Sequence, residues 1–216
     1  MKSNIDIYES MYQEFNPIKH INSRIKEMEI KSEYGAVVAS KWTEFVHQSL
    51  INEAYPVVHP IGQETFSLFV EFPTGVFEYA LDIDGATSLI NEKKIVPLTF
   101  SPLEIFMSVD QGNINTDPNR IKPNHKNPVM VLQSEYLTNN KPYCINGNHR
   151  IFEAYRNNNE QIEVFVFKDM EFVPFIYDDL SKAMYFFEID YDNVMNNKRN
   201  YIRNEKGSFA NEFYEF

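Results

Sequence analysis

The sequence predicts a mixed α/β fold with helical additions at both ends. Three observations carry the class. Apolar residues recur at helical spacing through the first fifty or so positions. Aromatic, partly alternating runs flank a Pro-Thr-Gly turn between residues 66 and 83. From Ile95 onward, short β-rich runs alternate with helical pieces.

The elements follow in order. Ile18, Ile21, Ile25 and Met28 line one helix face, and Val37, Val38, Trp42, Phe45 and Val46 line the next. Pro17 suits a first helical position and Ser32 an N-cap, while Trp42, Phe45 and Val46 are expected core. "FSLFVEF" and "VFEYALDI" read as two strands joined by a turn, and "DIDGATSLINEKK" as a short helix capped by Asp84. An extended "IVPLTF" comes next, then a polar stretch with "DQGN" and "TDPNRI", the apolar "PVMVLQ", and "KPYCING". A helix and the strand "QIEVFVF" complete this part. In that strand Ile162, Val164 and Val166 share one face and Phe165 and Phe167 the other, so it is expected to be buried on both sides. "RNNNE" reads as a helix end, because Asn tolerates the left-handed conformation. "DDLSKAMYFFEIDYDNVM" predicts a long helix, followed by a Lys/Arg/Asn-rich segment and the aromatic "FANEFYEF". The expected organisation is a mainly helical region with a hairpin (1–94), a mixed domain (95–169) and a helical extension packing on it (170–216).

Composition restricts the partners. The chain has 216 residues, 43% hydrophobic and 15% aromatic, which is ample for one large core or two modest ones. Acids outnumber bases 31 to 20, giving a net charge of -11, and this opposes broad DNA binding, which draws on Lys and Arg neutralising phosphates. The single cysteine, Cys144, leaves no disulfide framework and no multi-cysteine metal site, and the five scattered histidines form no metal motif. No run of eighteen or more uncharged apolar residues occurs, and "MKSNIDIYESMYQEF" lacks the order of a secretory signal. A cytoplasmic protein with no membrane partner is the expectation.

The most informative stretch is "YCINGNHRIFEAYR". A short strand, Tyr143 to Ile145, leads through Gly147 into a helix whose Ile151, Ala154 and Tyr155 fall at helical spacing. A helix start offers backbone N–H groups and roughly half a positive charge, and a glycine there lets an anion approach without meeting a Cβ. Arg150 adds a planar fork for phosphate oxygens, and His149 a further donor. The bland account is a tight turn, with Arg150 paired to Glu153 or Glu160 and His149 as a satisfied cap. Cys144 reads as a core thiol rather than a nucleophile.

Taken in order, "VPLTFSPLEI", "TDPNRI", "NPVMVLQ", "YCINGNHR" and "IEVFVF" resemble the ParB/sulfiredoxin-like superfamily over residues 95–169, about a third of the chain. The resemblance implies nucleotide binding at Asn146, Gly147, Asn148, His149 and Arg150, with ATP or CTP as ligand and Mg²⁺ accompanying the phosphates. It also implies phosphotransferase or NTPase chemistry toward a small-molecule or protein acceptor. Sulfiredoxin activity needs a cysteine directly after the loop glycine, where this chain has Asn148. Segregation-type ParB proteins carry a DNA-reading part with no counterpart here. Free-serine kinases carry an acid-Gly-His-His-Arg loop, and "NGNHR" lacks the acid and the first histidine. Family members often have Ala three residues after the loop arginine, whereas this chain has Glu153, with Ala154 next.

Phosphoryl transfer also needs a group to position the acceptor. Glu104 and His149 are the catalytic candidates. Asp117 is a further acid with an alternative as an N-cap before Pro118, and Glu104 has an alternative as a solvated side chain. Asp82 and Asp84 fit either a Mg²⁺ pair or a turn and helix cap, and the cap is preferred. His125 reads as a loop histidine and "KRNYIRNEK" as a charged surface. No metal residues are assigned. The terminal aromatic helices are expected to wrap the α/β core or to form a homodimer face. Three functions satisfy the sequence, in this order: a nucleotide-dependent enzyme, a non-catalytic interaction or regulatory protein of the same fold, and a ParB-like nuclease.

Overall fold

The computed structural model describes residues 14–109, 114, 128–198 and 209. In chain order its elements are α1 (Pro17–Lys31), α2 (Glu33–Phe45), β1 (Thr65–Phe72), β2 (Gly75–Asp82), α3 (Ile83–Lys93) and β3 (Leu98–Phe100). There follow α4 (Pro102–Ile105), β4 (Met130–Gln133), α5 (Glu135–Thr138), β5 (Tyr143–Asn146), α6 (Asn148–Arg156), β6 (Ile162–Lys168), α7 (Asp169–Phe172) and α8 (Asp179–Met195). The fold is mixed α/β, and the chain divides into two compact units. One is Met1–Pro60 with Ser67–Ala80 and Ile176–Phe216; the other is Ile61–Phe66 with Leu81–Phe175.

In the first unit, Pro17 opens α1 and the Asn16 side chain accepts the Lys19 N–H at 2.8 Å. Ser32 breaks the helix with an extended backbone and caps α2, its Oγ accepting the Gly35 N–H at 2.9 Å. Helix α2 runs on into a π-helical turn, Val46–Leu50. Both helices pack on α8. The aromatic helices thus build a core of their own, centred on Trp42, Phe45, Phe186 and Phe187, all at most 4% exposed. Helix α8 is buried on nearly every side and carries one buried acid, Asp190. Its two oxygens accept the Trp42 indole N–H and the Phe209 backbone N–H, each at 2.9 Å. A buried carboxylate satisfied by two donors is tolerated where an unpaired one would not be.

The second unit holds a four-stranded sheet in the order β3-β6-β4-β5. Strand β6 runs antiparallel to β3 and parallel to β4, and β4 runs antiparallel to β5. The sheet packs its apolar face into a cluster of Ile105, Val109, Val129, Val131, Cys144, Ile151 and Val164. Ile162 and Val166 pack on that cluster, while Phe167 meets the Phe175 ring at 5.3 Å. Strand β6 is therefore covered on both faces, as its sequence implies. Ala154, and not Glu153, faces inward from α6.

One cap differs from the expected position. Strand β2 continues to Asp82, whose extended backbone makes it the N-cap of α3; its Oδ1 accepts the Gly85 N–H at 2.8 Å. Asp84 lies inside the helix and its carboxylate accepts the Glu64 N–H at 2.7 Å. Asp117, His125 and the stretches "DQGN" and "TDPNRI" lie outside the described residues, as do most of "KRNYIRNEK" and "FANEFYEF". Among the described residues no helix is long and apolar enough to cross a membrane.

Two outcomes follow from this packing. A Cβ at Gly35 would lie 2.3 Å from the Met28 carbonyl oxygen and 2.9 Å from Val194 Cγ1. Gly35→Ala, which helix propensity alone would favour by about 1 kcal/mol, is expected instead to destabilise by roughly 1–3 kcal/mol in urea unfolding. Asp178 caps α8 through the Ser181 N–H at 2.8 Å, and burial raises its carboxyl above the ordinary range. The folded state then binds that proton more readily than the unfolded one, so the group's cost is present at neutral pH and is relieved as pH falls through the folded value. Asp178→Asn keeps the cap oxygen and is expected to be the more stable protein at pH 7, with its advantage shrinking toward about pH 4.

Candidate functional site

The loop after β5 is built by backbone sterics. Asn146 closes the strand opposite Met130, Gly147 takes φ 99° and ψ 22°, and α6 starts at Asn148 with no side-chain cap. A β-carbon is disfavoured in that left-handed conformation. The first helical bond runs from the Ile151 N–H to the Gly147 carbonyl at 3.1 Å.

The position of Arg150 departs from expectation. A Cβ on Gly147 would lie 2.9 Å from Arg150 Nη2, 3.3 Å from its Cζ and 2.9 Å from Val129 Cγ2. The space freed by the glycine is thus filled by the chain's own guanidinium, where the sequence suggested open backbone for an anion. Arg150 Nη2 donates to the Pro128 carbonyl at 3.3 Å, and Asn146 Nδ2 donates to the same oxygen at 3.0 Å. Burial draws the guanidinium below its ordinary range, with Cys144 and Glu64 acting in the opposite direction. An arginine so placed keeps its charge.

The other predicted residues divide into two groups. Asn146 and Asn148 are buried at 9% and 8% exposure, and His149 and Arg150 are half-buried on the first turn of α6. Cys144 is fully buried, donates to the Asn146 carbonyl at 3.3 Å and belongs to the core cluster, as a packing thiol would. Glu153 and Glu160 are exposed. Glu104 stands on α4, which packs against α6, but its carboxylate is engaged locally. It accepts the Ser101 N–H at 2.8 Å while Ser101 Oγ accepts the Glu104 N–H at 3.3 Å, a complete capping box. The Ser101 backbone and side-chain hydrogen bonds hold its carboxyl below the usual range.

Two groups at the site were not singled out by sequence. Pro128 supplies the carbonyl that fixes both flanks of the glycine, and only its place before an apolar strand was readable. Glu64 is the carboxylate whose charge acts on Arg150. Its backbone is pinned by Asp84 and by the Ile83 N–H, which it accepts at 3.0 Å, and nothing local in the sequence signals that placement. Among the described residues no group of three or more His, Cys, Asp or Glu side chains is placed to hold a metal ion.

Comparison with models of protein families, with curated proteins and with solved structures finds no match to the chain.

The geometry at Gly147 makes one substitution costly for two reasons. Gly147→Ala is expected to lower unfolding free energy by roughly 2–3 kcal/mol, from the left-handed backbone together with the contact on Val129. Denaturant titration of the purified protein measures it.

Proposed function

We propose that the chain is a nucleotide-binding protein of ParB/sulfiredoxin-like fold, with residues 146–150 as its phosphate-recognition element. The observation that carries this reading is the seating of the Arg150 guanidinium against Gly147 at the first turn of α6, within 2.9 Å of where a Cβ would stand. That arrangement puts a planar cation beside the helix's amino end, and the two together favour the same ligand, an oxyanion. An incoming phosphate meets the guanidinium at the positive end of the helix dipole, and the guanidinium exchanges its bond to the Pro128 carbonyl for one to the ligand. Asn146 stays on that carbonyl and preserves the loop when Arg150 moves. No protein ligand for Mg²⁺ is assigned; magnesium would arrive with the nucleotide's own phosphates.

A second reading, binding without turnover, is favoured by Glu104. Its carboxylate closes a capping box, so the catalytic role suggested for it competes with a structural one. His149 remains as the other candidate for proton transfer.

Titration with ATP and CTP, with and without Mg²⁺, tests the proposal. Arg150→Ala is expected to weaken binding by about 2 kcal/mol, roughly thirtyfold. Wild type and variant giving the same isotherm would sink the assignment. Release of labelled phosphate in the presence of serine and other small acceptors separates the enzyme from the binding protein. Binding that depends on Arg150 without any release supports the second reading.

A further inference from the structure

The first unit contains a constellation unrelated to the Gly147 loop. Thr74 is exposed at the tip of the hairpin between β1 and β2, directly before Gly75. Its Oγ1 lies 2.7 Å from His20 Nδ1, and the other ring nitrogen, Nε2, lies 3.0 Å from Glu188 Oε1. Three elements distant in sequence, the hairpin, α1 and α8, contribute one group each.

With the imidazole neutral, the two bonds have one consistent polarity. An ionised carboxylate only accepts, so Nε2 carries the hydrogen shared with Glu188. In the neutral ring Nδ1 is then a bare acceptor, and the Thr74 hydroxyl must donate to it. That is the polarity of a nucleophile bonded to a base and a base bonded to an orienting acid.

The ring is also held in place. His20 is 2% exposed, with the Phe72 ring centroid 4.6 Å away and that of Phe15 5.3 Å away. The second oxygen of Glu188 is bound by Arg24, whose guanidinium sits over the rings of Phe72 and Tyr191 at 5.2 and 4.3 Å. Tyr191 in turn donates to Glu27. The acid cannot rotate away from the imidazole without breaking that pairing.

We infer that Thr74 is a general-base-activated hydroxyl that accepts acyl groups from activated esters, with His20 as the base and Glu188 as the positioning residue. The Thr74 Oγ–carbonyl bond forms as His20 Nδ1 takes the hydroxyl proton. Collapse of the tetrahedral adduct breaks the bond to the leaving oxygen, which departs with that proton. Water, deprotonated by the same nitrogen, cleaves the acyl-threonine to free acid and restores the hydroxyl.

The whole chain is incubated with p-nitrophenyl acetate. Nitrophenolate release is followed by absorbance, and the acetyl group is located by intact mass and peptide mapping. One acetyl on Thr74 is expected. Thr74→Val removes the label, and Thr74→Ser, less crowded at Cβ and keeping the hydroxyl on His20, labels at least as fast as wild type with an unchanged melting temperature. His20→Gln slows acylation on the order of 100-fold. Glu188→Gln slows it by a similar factor and changes the shape of its pH–rate profile, which loss of a mere tether would not do. Labelling spread over lysines with none on Thr74, or equal rates in wild type and Thr74→Val, overturns the inference. So does a Thr74→Val variant that changes the melting temperature and not the label.

Discussion

The Pro128 carbonyl oxygen holds the second unit's candidate site together. It accepts the Asn146 amide from one side of Gly147 and the Arg150 guanidinium from the other. The next residue, Val129, gives its carbonyl to the Phe165 N–H at 2.9 Å, which ties the same stretch to β6. The start of β4 thus fastens the end of β5, the start of α6 and the neighbouring parallel strand. A carbonyl has two lone pairs, and here both donors come from side chains that bracket a left-handed turn. The turn cannot relax without releasing one of them, so the loop's shape is set by the sheet.

In the first unit the same task falls to carboxylates. Asp190 joins α2 to the segment at Phe209 through α8, and Glu188 joins α1 to α8 through His20 and Arg24. Glu78, 2% exposed, takes the Ser67 hydroxyl and His59 Nε2, the latter at 2.7 Å. An acidic chain has carboxylates in excess, and among the described residues this one buries Glu78 and Asp190 and half-buries Glu188 where polar hydrogens from distant elements converge. Each such bond is charge-assisted, and removing either partner strands the other out of water. Buried acids therefore specify which elements meet, in a core whose aromatic rings alone would pack in several ways.

Much of this was legible. Helix starts at Pro17 and Ser32, the hairpin, the doubly covered β6 and the core positions of Trp42 and Ala154 follow from local chemistry and period, and local rules survive packing when nothing contradicts them. "SPLE" also carries a local signal, since Ser followed three positions later by Glu, with Pro between, is a capping box, although Glu104 was expected as a catalytic or solvated acid. The shift from Asp84 to Asp82 reflects β2 ending at Asp82, one residue before the end of the expected "VFEYALDI", so that the strand's last carboxylate serves the helix. Glu64, Pro128 and the Thr74–His20–Glu188 grouping were not legible. Each depends on residues far apart in the chain meeting through tertiary packing, and no periodicity encodes such a meeting.

A chain with seven glycines in 216 residues uses them sparingly. The left-handed positions at helix ends go to other residues: Lys94, Asn139, Asn140, Asn158 and Asn197 all have positive φ. Asparagine suffices there because conformation is the only demand, and a short polar side chain lessens its cost. At position 147 there is a second demand. Val129 Cγ2 and Arg150 Nη2 both occupy the volume a Cβ would need, so asparagine, adequate elsewhere, is excluded by space. The residue type at 147 therefore answers to backbone conformation, to Val129 and to the arginine together, and a chain that so sparingly uses glycine has placed one where a guanidinium lies against the backbone.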